Sequence, residues 1–179
     1  MHALSIYQTM NKPVVLSEPD KERLIDSIPF DAFKNSFFYA RDAVSCAWQY
    51  FAERAASEVM SNMECCESVS DIISSLQENC PAISINEVSG NIYELYDNHT
   101  YAKLWLIEKQ SGEISIFFFK NWMADECMSP REKNISKLTR ECDHIDISDF
   151  GPDSAAFLIS ELFSSYEKLS ERCQFLLNW

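Results

Sequence analysis

The sequence predicts an α+β fold: an antiparallel β-meander of four to five strands packed with a long N-terminal helix and a C-terminal helix. Three observations predict it. Apolar residues recur at steps of three and four from Phe33 to Val59, and again from Phe157 to Cys173. Between these stretches the period falls to two, as in Ile83-Ser84-Ile85-Asn86. Turn residues at Ser89-Gly90-Asn91, Asp97-Asn98-His99 and Ser111-Gly112 cut the alternating region into short segments.

Taken in order, residues 1–20 form a weakly patterned lead-in. Pro13 and Pro19 read as helix breakers, Val14 to Leu16 as a short edge strand, and Lys21 to Ile28 as a short helix. Asp31 caps the next helix just after Pro29. Its stripe is Phe33, Phe37, Ala40, Val44, Trp48, Phe51, Ala55 and Val59, and no glycine or proline interrupts Asp31 to Met63. A continuous helix there would be about 50 Å long. Ser68 or Ser70 starts a second helix bearing Ile72, Ile73 and Leu76, and Pro81 ends it.

The strands follow at Ile83–Ile85, Ile92–Tyr96, Tyr101–Lys109 and Ile114–Lys120. Phe117, Phe118 and Phe119 place apolar bulk on both faces, which predicts a central strand covered by helices on at least one side. Ser129-Pro130 opens a basic surface helix that runs to Glu141. Ile145 and Ile147 suggest a fifth strand, and Pro152 or Asp153 opens the last helix. With no linker and no internal repeat, residues 1–179 read as a single domain.

Composition removes several classes. Apolar residues make up 46% of the chain and charged residues 24%, a globular balance. Only three glycines are present, Gly90, Gly112 and Gly151, too dispersed for a phosphate-cradling loop or a dinucleotide fingerprint. No run is long and apolar enough to cross a bilayer. Seven cysteines occur, an odd number without a CxxC pair, and no secretory apolar core follows Met1. They point to reduced thiols and a cytoplasmic setting.

The motifs that resemble chemistry are fragments. Cys142-Asp143-His144 holds half of a zinc or nucleophile–base arrangement, but no second half has recognisable spacing. His99 sits in a turn whose Asp and Asn have turn chemistry of their own. Asp149-Phe150-Gly151 matches a kinase triplet without the other kinase motifs. Cys65-Cys66 lies between Glu64 and Glu67, whose charges blunt thiol reactivity. No catalytic residue, cofactor or metal is assigned.

Charge is the dominant signal. Acids outnumber bases 28 to 15, for a net charge of -13. No Lys or Arg occurs between Arg54 and Lys103, nor between Glu141 and Glu167. Acids dominate both windows, so the charge is segregated as well as negative. Such a surface repels nucleic acid and attracts basic proteins. The expected contacts are Glu64, Glu67, Asp71, Glu87, Glu94, Tyr96, Asp97, Asp143, Asp146 and Asp149.

Size, acidity and the lack of a catalytic motif together predict a non-enzymatic binding protein. It would inhibit or neutralise a partner with a basic surface, such as a toxin or a nucleic-acid-handling enzyme. Immunity proteins, antitoxins and phage anti-defence proteins have this profile, and nucleic-acid mimicry is one form it takes. Direct nucleic-acid or membrane binding is not expected. The alternatives are an acidic secretion-type chaperone, with the aromatic helix from Phe33 to Val59 as its groove, and a small Cys/His enzyme.

Overall fold

A computed structural model of the chain describes residues 16–34, 40–59, 68–100, 102–118 and 143–177. The first helix, α1, spans Glu18–Asp26. It begins three residues before the Lys21 start predicted above, and Pro19 lies inside it. The reason is local. Ser17 Oγ accepts the Asp20 N–H at 3.2 Å, and proline in the first turn lacks only an N–H that the helix does not use.

Helix α2 covers Phe30–Lys34 and α3 covers Ala40–Val59, so the described part of the long helix runs for about 30 Å. Its predicted continuity through residues 35–39 and 60–63 lies outside the described residues, as do the edge strand at Val14-Val15 and the helix from Ser129 to Glu141. Helix α4, Val69–Asn79, has Ser68 at the capping position, but the serine side chain does not cap it. Glu108 supplies the acceptor instead, taking the Val69 N–H on Oε1 at 3.3 Å.

Five strands follow the predicted order: β1 (Ile83–Ser89), β2 (Ile92–Asp97), β3 (Lys103–Glu108), β4 (Ile114–Phe118) and β5 (Asp143–Asp146). They form one sheet in the order β1-β2-β3-β4-β5, every neighbour antiparallel. A register shift between Glu87 and Ser89 puts a bulge in the edge strand β1. The fifth strand stops at Asp146, one residue short of Ile147. Asp146 Oδ1 accepts both the Ser148 N–H at 2.8 Å and the Ser148 hydroxyl at 2.6 Å, which turns the chain. Ile147 still reaches the core, fully buried, with its N–H on the Ile114 carbonyl at 2.9 Å. Helix α5, Pro152–Leu177, closes the described chain.

The helices and one sheet face share a single apolar core. Alternation along the strands sends Leu95, Leu104, Leu106, Ile116 and Phe118 into it, together with Phe51, Leu76 and Leu158 from the helices. Each such side chain contributes about 2 kcal/mol of burial. Trp48 of α3 lies at the junction. Its Nε1 donates to the Leu162 carbonyl at 2.8 Å, and its ring meets Phe118, Phe163 and Tyr166 edge-on. The opposite sheet face is also buried at Ile92, Trp105, Ile107 and Phe117, none of which belongs to the helix-packed cluster.

Candidate functional site

The acids must be separated into those that fold the protein and those left over. Helix α1 is tied down by ion pairs: Lys21 to Glu161 at 2.8 Å, Arg23 to Glu58 at 2.7 Å, Lys168 to Glu22 at 3.0 Å, and Arg172 to Asp26. In the sheet, Lys103 pairs with Glu94 and Lys109 with Glu113, each at 3.5 Å. Arg54 instead rests on the Tyr50 ring, 4.6 Å from its centroid. These seven base side chains are therefore engaged inside the molecule. Asp71, Glu78, Glu87, Glu108, Asp146 and Asp149 have no cationic partner among them.

The sheet register distributes the predicted contacts. Ile92 opposes Ile107 and Ser115 opposes Asp146, so Glu87, Glu108 and Asp146 lie at one sheet end, Glu87 and Glu108 on one face and Asp146, with Ser115 and Glu94, on the other. Asp149 follows Asp146 by one turn. Asp71, in the first turn of α4, joins this end because Glu108 caps that same helix. Strand spacing places β1 about 19 Å from β5 across the sheet. Tyr93 stands between Glu87 and Glu108. Burial first, and then the charges of those two carboxylates, hold its phenol above the usual value.

Glu94, Tyr96 and Asp97 lie elsewhere. Asp97 opposes Ile83, about 13 Å along the strand from the Glu87 end. Its carboxylate accepts the His99 N–H and the Thr100 hydroxyl, both at 3.0 Å, and so shapes the turn. Alternation puts Glu94 and Tyr96 on the sheet face opposite Glu87 and Asp97, and Glu94 is the partner of Lys103. The hairpin therefore does not present Glu87, Glu94 and Asp97 as one patch. Glu64 and Glu67 lie outside the described residues, and of Asp143 only the backbone, in β5, is described.

The other fragments are also located. His144 is exposed and stacks on Phe117, with ring centroids 5.0 Å apart. His99 is exposed in its turn. Cys80 and Cys173 are free thiols, while Cys65, Cys66, Cys127 and Cys142 lie outside the described residues. Among the described residues, no group of three or more His, Cys, Asp or Glu is placed to hold a metal ion. The apolar face of α3 is covered by the protein's own core, with Ala43, Ala47, Phe51, Ala52 and Ala55 all at 0% exposure. No helix among the described residues is long and apolar enough to cross a membrane.

Sequence reasoning missed two features. Glu108 was not singled out, because its role as a cap for α4 depends on a contact 39 residues away. A cavity lined by Asn79, Cys80, Asp153, Ala156, Phe157 and Ser160 lies between the end of α4 and the start of α5. Only a polar helix stop and a polar helix start signalled it, and they are far apart in the chain.

Comparison with known protein families, curated proteins and solved structures finds no match for this chain.

Proposed function

We propose that the protein is a non-enzymatic acidic binding protein that docks on, and neutralises, a protein partner with a basic surface. The observation that supports this reading is a group of acids without cationic partners at one end of the sheet. Lys21, Arg23, Lys103, Lys109, Lys168 and Arg172 are engaged by ion pairs in the helical layer and the sheet. Asp71, Glu87, Glu108, Asp146 and Asp149 at one sheet end have no cationic partner among the described residues. Asp146 and Glu108, held by turn and cap hydrogen bonds, lose little freedom on docking, and the negative charge favours encounter with a basic partner.

The test is affinity capture on the immobilised protein, eluted with a salt gradient and read by mass spectrometry. A basic protein that binds stoichiometrically and leaves at moderate salt supports the reading. The triple variant Asp71→Lys, Glu87→Lys, Asp149→Lys should then bind at least tenfold more weakly, with an unchanged circular dichroism spectrum. Absence of any stoichiometric basic partner, even at low salt, would overturn it.

A further inference from the structure

We propose that the cavity between the C-terminal end of α4 and the N-terminal end of α5 is an anchoring pocket for one arginine side chain of a basic protein partner. The inference rests on the proposed function above and gives it a specific contact.

The cavity has a volume of about 360 Å³, within the range of small-ligand sites. Its polar lining is rich in acceptors. Asp153 Oδ1 takes the Ser75 hydroxyl at 2.6 Å, and no described residue donates to its second oxygen. Asn79 Nδ2 donates to the Ser75 carbonyl at 3.1 Å and to the Ser75 Oγ at 3.2 Å. That commitment fixes the amide and leaves Oδ1, an acceptor, without a partner among the described residues. Ser160 adds a hydroxyl to the lining. Among the described residues, no Lys, Arg or His lines the cavity.

The backbone adds the same sign of charge. Helix α4 ends here without a basic residue in its last turn, so its terminal carbonyls give the cavity a negative dipole end. Asp153 lies in the first turn of α5, whose N–H groups offset part of its charge. A full carboxylate charge still exceeds the roughly half charge of a helix end.

The remaining lining is apolar. Ala156 is buried and the Phe157 ring is half-buried. A planar cation with several donors suits this combination better than a compact ammonium. A guanidinium places N–H groups on separated acceptors and lays its face on an aromatic ring. Ser75 is itself buried, at 5% exposure, and holds both Asp153 and Asn79, so the acceptors are positioned before any ligand arrives.

The test uses the full-length protein and Nα-acetyl-arginine amide, followed by two-dimensional NMR. Saturable shifts at Asn79, Asp153, Phe157 and Ser160 are expected. They should fall at least tenfold in affinity in Asp153→Asn, which keeps an acceptor for Ser75, and vanish with the neutral citrulline analogue. Equal binding of the lysine analogue would overturn the arginine assignment. Shifts spread over the acidic sheet end, or unchanged in Asp153→Asn, would overturn the pocket itself. Partner capture separates the two readings. A basic partner that binds Asp153→Asn as tightly as the wild type overturns the pocket and leaves the proposed function standing. Specific probe binding with no basic partner overturns the proposed function, and with it the assignment of the arginine to a protein partner, and leaves the arginine-binding pocket standing.

Discussion

The indole Nε1 of Trp48 donates to the backbone carbonyl of Leu162 at 2.8 Å, a buried hydrogen bond across the interface of α3 and α5. Trp48→Phe removes the donor and part of the ring that meets Phe118, Phe163 and Tyr166. We expect a loss of about 2 kcal/mol in urea unfolding, from the missing bond and the cavity left behind. A loss below about 0.5 kcal/mol would show that this interface is not a main support of the fold.

Lys21 and Glu161 form the least exposed ion pair among the described residues, with side chains 16% and 11% exposed. Burial alone lowers the Lys21 value, but the hydrogen bond and charge of Glu161, aided by Glu18, raise it above 10.5 overall. A raised folded-state value means that the pair stabilises the protein fully below pH 10.5. That stability is lost as the pH rises through the folded-state value. Lys21→Met should cost about 2 kcal/mol at pH 7, because it strands a nearly buried carboxylate. The difference between variant and wild type should narrow above pH 11.

Cys173 is fully buried, and burial first, with Cys46 second, pushes its thiol up to about 12. Reaction needs the thiolate and access to it. Cys173 should therefore resist iodoacetamide in the native protein at pH 8 and react once the protein is unfolded. Cys80, half-buried at the cavity, should label before Cys173. Peptide mapping by mass spectrometry checks the order. Native labelling of Cys173 at a rate near that of Cys80 would contradict the packing of α5.

Gly112 has a φ of 90°, in the turn between β3 and β4, and a Cβ there meets no atom within 4 Å. The cost of Gly112→Ala is thus conformational, about 1 kcal/mol. Gly90 has equal space and no such φ, so Gly90→Ala should leave stability unchanged to within about 0.5 kcal/mol. Thermal unfolding of the two variants makes the comparison.

The sheet was legible because its signals are local: strand alternation and turn residues act within a few positions. Ile83, Ile92 and Leu104 each fell in the strand expected for them. Pro19 misled because a proline tolerated in a first helical turn looks the same in sequence as one that breaks a helix. Ile147 misled because its burial continues past the strand, while the Asp146 carboxylate turns the backbone. The grouping of acids was less accessible. Sequence showed the windows free of bases, but only strand parity puts Glu94 on the far face from Glu87. The acceptor set at Asn79 and Asp153 depends on helix packing, and no pattern along the chain encodes it.

Strand order in the sheet is the same as strand order along the chain. The first four strands can zip through short turns, each step closing a small loop at low entropic cost. The contact between Trp48 and Leu162 spans 114 residues and must bring together the two flanks of that sheet. Topology thus divides folding into quick local hairpins and one slow closure of a long loop. Changes in the hairpins should alter how fast the chain collapses, whereas changes where α3 meets α5 should govern how long the finished molecule survives before it opens.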